Sequence, residues 1–525
     1  MLSAEEQLKH YIGDVPLLLS LKAKAEKGPL SNVDRIMAKG LLDDKITQIQ
    51  VNADSIDWSK YKRKPMDHHK ESIGFLKGKQ RGILADDMGL GKSFSSIGAA
   101  TEVGANHKII ICPKYLMTNW KREVEFFTPN VTIIKDGKSK WEVAEFIIMN
   151  YEKVAKYLEE IRALGAGVYI ADEASGLKNA KTLRAKTFAK LIARSKAHVW
   201  LLTGTPIANR PIDYFNLLKI CRHPLTIETG RWTPMDNSWV RFGKRFCAGK
   251  HTGYGWDFSG ASNIEMLHQE TKEYVLRRTK ETHLNLPDKN VFPVYLGLED
   301  KKGYDLVVEE AYQKRWEESR DIESTKFGSD PLAAEQLVTF SIIRKFLAYE
   351  KIKDGSTLGA IEDAIAEDKK VVVFTNYTGV IDALLEELGD SCTFIDGRLT
   401  KEGEKQANVD RFQTDPKCKV ILCNYAVGKM GWNLTAGRVT VMNDMNWSPE
   451  TNMQAQDRIY RIGQEYSVNI LYLLYEGTVE TLLHEIIMLK IQIIRHAVDG
   501  IPMTDDPARL KVLSEQLFGS LDKRN

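Results

Sequence analysis

The chain contains the stretch Gly82-Ile83-Leu84-Ala85-Asp86-Asp87-Met88-Gly89-Leu90-Gly91-Lys92-Ser93, in which an apolar run leads into a glycine-rich turn. Residues 94–100 continue it with a helical pattern. Glycines let backbone N–H groups approach an anion closely, and a helix start adds the positive end of its dipole. The stretch therefore predicts a strand, a phosphate-binding loop and a helix, although Asp86 occupies the position where the general pattern has glycine.

The same rhythm of short apolar runs and amphipathic stretches extends along much of the chain. Strand candidates at 82–85, 108–112, 146–149, 168–171 and 199–203 end in polar or glycine-rich residues. The rhythm breaks from about 210 to 350 and returns with candidates at 370–375, 392–395, 420–423, 439–442 and 469–474. Short buried strands that alternate with helices are typical of open parallel sheets. We predict an α/β fold of two doubly wound parallel-sheet lobes with a largely helical insertion between them.

These patterns divide the chain into five regions. We expect a small helical accessory region at 1–60, and a first lobe at 61–295 whose helical insertion begins near 210. A helical insertion and linker should follow at 296–360, a second lobe at 361–495 and a C-terminal tail at 496–525. A chain of 525 residues has room for several domains, since single domains commonly contain about 100–200 residues.

Bulk composition excludes some classes of protein. Apolar residues make up 43% of the chain and charged residues 28%, as in soluble globular proteins. No apolar run approaches the ~20 residues that span a bilayer, and Met1–His10 lacks the apolar core of a signal peptide. The six cysteines are scattered without a C-x-x-C pair, so we expect no zinc site, no membrane association and a reducing, intracellular compartment. The net charge of +3 does not by itself indicate nucleic-acid binding, so a basic binding groove would have to be local.

The glycine-rich turn supplies the groups that hold a nucleotide. Its backbone can close on phosphate oxygens through Met88, Gly89, Leu90 and Gly91. Lys92 can reach the β- and γ-phosphates of ATP, and Ser93 can hold Mg²⁺.

An acidic pair, Asp172 and Glu173, ends the strand candidate at 168–171. Carboxylates at the end of a buried strand are costly unless they serve a cation or a reaction. Asp172 fits a ligand of Mg²⁺, and Glu173 fits the base that orients and deprotonates an attacking water. Taken alone, the pair could equally be the acidic start of a helix.

Nine stretches in the expected order resemble the motifs of the Swi/Snf-type translocases of helicase superfamily two. They are 86–93, 110–114 with Asn119-Trp120, 150–152, 172–175, 202–209, 372–377, 395–398, 431–435 and 454–464. The last ends in Arg458-Ile459-Tyr460-Arg461-Ile462-Gly463-Gln464, which resembles this family more than the superfamily in general. Within the insertion, 255–260 and 275–280 resemble the annealing-helicase (HARP-like) branch.

The resemblance implies two RecA-like lobes with ATP in the cleft between them. Arg458 and Arg461 would be arginine fingers, because a planar, permanently charged guanidinium stabilises charge that develops on the γ-phosphate. On residues alone, Arg at i and i+3 of a helix could be a solvated face. Residues 203–205 would couple hydrolysis to lobe movement.

The resemblance also implies contacts with the nucleic-acid backbone at Lys114, Thr375 and Thr435. Lysine and hydroxyl donors suit phosphates, which position a protein without reading base sequence. Each threonine could equally be a strand or cap residue.

Two positions depart from the family pattern. Counted back from Ile73 and Leu76, the place of the usual adenine-reading Gln is held by His69, whose ring offers one donor and one acceptor in a different geometry. Ser175 stands where the family usually has His, and it is shorter and uncharged. We expect adenine selectivity and the coupling of the lobes to be affected.

These features predict an ATP hydrolase stimulated by nucleic acid, most simply a translocase on duplex or forked DNA. A strand-separating helicase, a remodeller that displaces proteins and a hydrolysis-poor DNA-binding scaffold remain alternatives. Residues 1–60 could hold a client protein. The compact length fits a bacterial or viral source, with a cytoplasmic or nucleoid location.

Overall fold

The computed structural model describes residues 55–134, 141–229, 232–253, 255–284, 286–321, 331–400, 403–428 and 431–522. The predicted accessory region at 1–60 lies outside these residues except for its last six positions. No described helix is long and apolar enough to cross a bilayer. The described residues also contain no cluster of three or more His, Cys, Asp or Glu side chains that could hold a metal ion.

Fifteen strands are formed by the described residues. In chain order they are β1 (Arg81–Leu84), β2 (Lys108–Cys112), β3 (Val131–Ile134), β4 (Phe146–Asn150), β5 (Val168–Ala171), β6 (His198–Leu202), β7 (Lys250–His251), β8 (Trp256–Asp257), β9 (Val275–Leu276), β10 (Lys289–Leu296), β11 (Lys370–Thr375), β12 (Cys392–Ile395), β13 (Val420–Asn424), β14 (Gly437–Met442) and β15 (Val468–Tyr475).

The strands form two parallel sheets and one short hairpin. The first sheet has the order β3-β4-β2-β5-β6-β1-β9, and all its pairings are parallel. The second has the order β10-β15-β14-β11-β13-β12, also all parallel. Strands β7 and β8 pair antiparallel within the insertion. The predicted α/β fold of two lobes is therefore confirmed.

Helices cover the sheets and fill the insertion. Their bounds are Asp67–Gly78, Lys92–Val103, Met117–Glu125, Tyr151–Val154, Leu158–Leu164, Leu183–Ile192, Tyr214–Ile220, Ser238–Phe246, Ile264–Thr271, Lys280–His283, Lys301–Asp321, Pro331–Lys353, Ser356–Ala366, Thr378–Leu388, Glu404–Thr414, Tyr425–Gly428, Pro449–Gln456, Val479–Asp499 and Arg509–Asp522. Strands β1, β2, β4 and β5 are buried along their whole length, as expected of a parallel sheet covered on both faces.

Two predicted boundaries are wrong. Strand β10 pairs with β15, so the first lobe ends before residue 289 and not at 295. This strand is largely exposed, lies at the sheet edge and contains Pro293, which a central strand would not tolerate. Pro293 interrupts its apolar run at 291–296, which explains why the sequence did not reveal the strand.

The boundary predicted at 496 for a C-terminal tail is also wrong. The long helix Val479–Asp499 continues past it, and a second helix, Arg509–Asp522, follows. Leu510, Leu513 and Leu517 of the second helix are buried in the same apolar cluster as the long helix. The long helix spans both lobes. Near its start, Leu483 and Ile487 join the core of the second lobe, whereas residues near its end pack with the insertion helix Ile264–Thr271.

Candidate active site between the lobes

The phosphate-binding loop follows β1 at the carboxyl edge of the first sheet, where parallel α/β sheets bind ligands. Gly89 and Gly91 have φ angles of 92° and 74°, which glycine adopts without strain, and the helix Lys92–Val103 begins directly afterwards. A Cβ atom at Gly91 would lie 2.2 Å from Nε2 of His69. The second glycine is therefore required by both conformation and space.

Lys92 is oriented toward its own loop. Its Nζ donates to the carbonyl oxygens of Asp86 at 2.7 Å and Asp87 at 3.1 Å. Burial lowers its pKa, while the carboxylates of Glu173, Asp86, Asp172 and Asp87 act in the opposite direction. The ammonium thus lies at the phosphate-binding loop among acidic groups, and its contact with phosphates stays a prediction.

Asp86 has a structural partner that explains its departure from the general loop pattern. Its carboxylate is fully buried and receives hydrogen bonds from Arg278 Nε at 3.1 Å and Nη2 at 2.6 Å. Ser72 Oγ donates to the same carboxylate at 3.2 Å. A buried charge is tolerated when it is paired and hydrogen-bonded, so Asp86 anchors the loop to the segment that carries Arg278.

Asp172 follows β5, two strands from the loop, with β6 between them. Trp120 Nε1 donates to its Oδ2 at 2.7 Å, and the Glu173 backbone N–H donates to its Oδ1 at 2.9 Å. The Tyr151 hydroxyl donates to its carbonyl oxygen at 2.7 Å. Burial raises the pKa of Asp172, and the two donors to its carboxylate and Lys92 oppose that rise. The carboxylate is therefore held in one orientation.

Glu173 has a left-handed backbone with φ of 49°, which is unusual for a residue other than glycine. Such conformations persist where the surroundings impose them, and they are frequent at functional sites. Burial and the neighbouring Asp172 raise its pKa to about 7, although Lys92 and Arg458 act in the opposite direction. A carboxyl group that titrates near neutral pH suits general-base chemistry.

The second lobe reaches this site through Arg458. Its side chain is 2% exposed, its Nε donates to the Gln454 carbonyl at 3.0 Å, and its Nη2 lies 3.3 Å from Sδ of Met88 in the phosphate-binding loop. Burial and the nearby Arg461 lower its pKa to about 10, so it stays charged at neutral pH. The structure thus brings Arg458 together with the loop of the other lobe.

A second contact between the lobes involves the predicted coupling element at 203–205. Thr205 Oγ1 donates to Oε1 of Glu450 at 2.8 Å, and the Glu450 backbone N–H reaches the Ala208 carbonyl at 3.4 Å. Glu450 also raises the pKa of Glu173. The coupling element therefore contacts the helix Pro449–Gln456 that leads to Arg458.

Arg461 is turned toward its own lobe. Its Nη1 donates to the carbonyl oxygens of Gly431 at 2.8 Å and Trp432 at 3.0 Å. In this arrangement it supports the stretch 431–435, and within the described residues its side-chain hydrogen bonds stay inside the second lobe. The structure thus assigns the two arginines different surroundings.

His69 lies beneath the phosphate-binding loop. Its Nδ1 accepts from the Met66 N–H at 3.2 Å, its ring packs 4.9 Å from that of Phe94, and it is 4% exposed. Burial and the adjacent His68 lower its pKa to about 3, so it is neutral. Because Nδ1 accepts, Nε2 carries the proton on the side of Gly91. This ring therefore supports the loop from below, and its surroundings differ from those of an open base-reading side chain.

The three predicted nucleic-acid contacts are not equivalent. Lys114 begins a short turn after β2 and is exposed. Thr435 is half-buried, and its Oγ1 accepts from Gln413 Nε2 at 3.3 Å. Thr375 is 1% exposed and its Oγ1 donates to Asp444 Oδ1 at 2.5 Å. The hydroxyl of Thr375, at the end of β11, is therefore directed at a buried carboxylate that follows β14, and its contact with a phosphate stays a prediction.

Ser93 is half-buried in the first turn of the helix that Lys92 begins. Sequence reasoning missed the residues that hold the site from a distance, namely Trp120, Glu450, Arg278 and Asp457. Trp120, Arg278 and Asp457 lie inside stretches that carried the family resemblance, so their positions were visible although their partners were not.

Comparison with known proteins agrees with this architecture. Residues 25–346 match the family model of the SNF2-related domain, and residues 356–463 match that of the helicase conserved C-terminal domain. The first match alone covers more than half of the 525 residues.

Curated relatives extend over most of the chain. A SWI/SNF-related matrix-associated actin-dependent regulator of chromatin subfamily A-like protein 1 from Drosophila melanogaster is 27% identical over 79% of this chain and 53% of its own length. The human DNA annealing helicase and endonuclease ZRANB3 is 28% identical over 82% of this chain and 40% of its own. An uncharacterized ATP-dependent helicase of Mycoplasma pneumoniae is 26% identical over 79% and 40%. The chain spans about half the length of these relatives.

Among solved structures, the Sulfolobus solfataricus SWI2/SNF2 ATPase core in complex with dsDNA is 24% identical and covers 88% of this chain and 98% of that chain, with a TM-score of 0.39. The family matches and the paired lobes lead to one conclusion: the chain belongs to the SNF2-related family of helicase-like ATP hydrolases.

Proposed function

We propose that this chain is a DNA-stimulated ATPase that translocates on double-stranded DNA and remodels branched DNA or DNA-bound complexes. The observation that carries the proposal is the position of Arg458, whose Nη2 lies 3.3 Å from Met88 in the phosphate-binding loop of the other lobe. A site completed by both lobes links the state of the nucleotide to their relative position, which a motor requires.

The proposed chemistry divides among residues of both lobes. Lys92 and the loop backbone bind the phosphates, Glu173 accepts the proton of the attacking water, and Arg458 stabilises charge on the transferred phosphoryl group. Arg461 serves the same reaction once the cleft closes on nucleotide. His69 contributes through the loop that it supports.

The residues present fit Mg²⁺. Two carboxyl groups, Asp172 and Glu173, are buried side by side with raised pKa values, an environment that a divalent cation would relieve. Asp172 is oriented by Trp120, as ligands of metal ions commonly are by a neighbouring donor. We expect Asp172 and Ser93 to hold the ion, which would offset the negative charge of the phosphates.

DNA as the partner is supported by the relatives that are named DNA annealing helicases. Within the chain, exposed Lys114 and half-buried Thr435 offer donors suited to the phosphate backbone. Contacts with phosphates displace counterions, so we expect the DNA-stimulated rate to fall steeply as salt rises. We propose separately that a client protein binds at residues 1–60.

The decisive experiment measures ATP hydrolysis with duplex, single-stranded and forked DNA. Duplex and forked DNA should stimulate the rate, and displacement of a third strand from a duplex should report translocation. Lack of stimulation by every nucleic acid would refute the motor and favour a DNA-binding scaffold. Unwinding of a plain duplex would favour a strand-separating helicase, and release of a bound protein without unwinding would favour a remodeller. Glu173→Gln provides the hydrolysis-deficient control.

A further inference from the structure

One short basic segment of the first lobe contacts both halves of the site. We call residues 275–280 the strap; it comprises β9 and the four residues after it. Strand β9 pairs with β1, directly beside the phosphate-binding loop. Its cationic side chains Arg277 and Arg278 pair with Asp87 and Asp86 of that loop, and Lys280 pairs with Asp457 of the second lobe.

On the side of the phosphate-binding loop, the strap holds Asp87. Arg277 Nη2 lies 2.7 Å from Asp87 Oδ1, and the Lys280 backbone N–H donates to Asp87 Oδ2 at 3.0 Å. The Asp87 backbone N–H donates to the Arg278 carbonyl at 2.9 Å. Both carboxylate oxygens and the backbone of Asp87 are thus attached to the strap, only five residues before Lys92.

On the side of the second lobe, Lys280 holds the segment that carries the arginines. Its Nζ lies 3.1 Å from Asp457 Oδ2 and donates to the Tyr460 carbonyl at 2.9 Å. Asp457 directly precedes Arg458, and Tyr460 directly precedes Arg461. The Lys280 side chain is 2% exposed.

The negative charge of Asp457 is balanced by two lysines, Lys280 and Lys289. Burial raises the pKa of Asp457, but Lys280 and Lys289 outweigh that effect and hold the value below its ordinary range. Lys289 lies 3.9 Å from the other oxygen of Asp457. A buried ion pair gives little net stability compared with apolar packing, so its presence at this junction calls for a role in specifying geometry.

We propose that Lys280 is a positioning residue, which sets the distance between Arg458 and the phosphate-binding loop through Asp457 on one side and Asp87 on the other. This rests on the proposed ATP hydrolysis, because the effect of a misplaced arginine finger is read in that reaction. Within the described residues, the Lys280 side chain bonds to Asp457 and Tyr460 and forms no hydrogen bond or ion pair with Lys92 or Glu173. Its loss should slow the chemical step and leave nucleotide binding in place.

The test compares Lys280→Met, Lys280→Arg and Asp457→Asn in the full chain. Lys280→Met and Asp457→Asn should each lower kcat by about tenfold or more, since small misplacements of a catalytic group have effects of that size. The dissociation constant of a non-hydrolysable ATP analogue should change less than about twofold, because its binding groups are intact. Lys280→Arg should recover much of kcat, and the Met and Asn substitutions combined should cost no more than either alone.

Lys419→Met is the matched control. It removes a lysine that pairs with Asp368 at 2.8 Å at the amino end of β13, the opposite edge of the second sheet from the cleft. It should leave kcat unchanged. Unchanged kcat in Lys280→Met would overturn the proposal. So would a lower kcat accompanied by a similar fold loss of nucleotide affinity and a clear drop in melting temperature, since that would indicate general destabilisation.

Hydrogen exchange separates this inference from the proposed function. Lys280→Met should speed amide exchange in residues 457–464 whether or not the wild-type chain hydrolyses ATP. If the wild type is inactive but exchange accelerates there, the proposed function fails and the structural link stands. If exchange in 457–464 is unchanged, the link itself is refuted.

Discussion

Arg458 Nη2 and Met88 Sδ, which belong to different lobes, lie 3.3 Å apart in the structure. Met88 is also close to the coupling element, since a Cβ atom on Gly204 would lie 3.2 Å from its Cγ. A thioether is a weak acceptor, so it can give up a guanidinium to a stronger anion at little cost. The contact therefore keeps Arg458 beside the loop and leaves it available for phosphate.

Replacing Arg458 should separate binding from chemistry. We expect Arg458→Ala to lower kcat by about 10³-fold, the usual effect of losing an arginine finger, with little change in the affinity for an ATP analogue. Stopped-flow or steady-state phosphate release measures the first quantity and fluorescence titration the second. Arg411→Ala is the control, because Arg411 donates to carbonyl oxygens of Asp390 and Cys392 at the amino end of β12. An equal loss in both quantities would contradict the assignment.

The pH dependence of hydrolysis should report Glu173. Its pKa is raised to about 7, and a general base works only when ionised, so kcat/KM should rise about tenfold between pH 6 and pH 8. Rapid phosphate-release assays across this range measure the profile. Glu173→Gln should remove the rise together with most of the activity. A flat profile in the wild type, with chemistry rate-limiting, would exclude Glu173 as the base.

Glu173→Gln should lower the activity but raise the stability of the folded chain at alkaline pH. A carboxyl whose pKa rises from 4.5 in the unfolded chain to about 7 in the folded one binds protons more tightly when folded. Stability is therefore lost as pH increases from about 4.5 to about 7, and this cost is then present at pH 8. Glu173→Gln removes it, so the variant should melt above the wild type at pH 8 and close to it at pH 4.5.

Trp120 should matter through Asp172. Trp120→Phe removes the indole N–H that donates to Asp172 Oδ2, and we expect the concentration of Mg²⁺ that half-saturates hydrolysis to rise about tenfold, as for other donors behind metal ligands. Trp200→Phe is a matched control, since Trp200 is equally buried but donates to the Lys79 carbonyl near the amino end of β1. Equal Mg²⁺ dependence in the two variants would show that Trp120 acts only by packing.

Asp86 should be a stability determinant despite its place in the phosphate-binding loop. Asp86→Asn removes the buried carboxylate partner of Arg278 and leaves it only the half-exposed Glu71, so we expect the first lobe to lose about 3 kcal/mol. Asp67→Asn breaks a pair with Lys70 whose Asp side chain is 94% exposed, and it should leave the unfolding midpoint nearly unchanged. Urea unfolding followed by tryptophan fluorescence compares them. Equal costs would refute the buried-pair assignment.

Sequence reasoning succeeded where chemistry is encoded locally. Lys92 ends the loop that follows β1 and Glu173 lies two residues after β5, so a continuous pattern of residues singled them out. The partner of Asp86 lies 192 residues away, and no local periodicity reports such a pair. The contact between Thr375 and Asp444 is also invisible in the sequence. Thr375 ends β11 and Asp444 follows β14, and only the pairing of these two strands brings the residues together.

The long helix Val479–Asp499 has a mechanical consequence. The chain passes from the first lobe to the second between β9 and β10, and this helix returns it to the insertion helix Ile264–Thr271. Its end is fastened by Asp499 to Arg277 at 2.5 Å. The second lobe is therefore attached to the first at two separate places, which limits the directions in which it can rotate. For the proposed translocase, each cycle of opening would follow the same path, and the step along DNA would keep one direction and length.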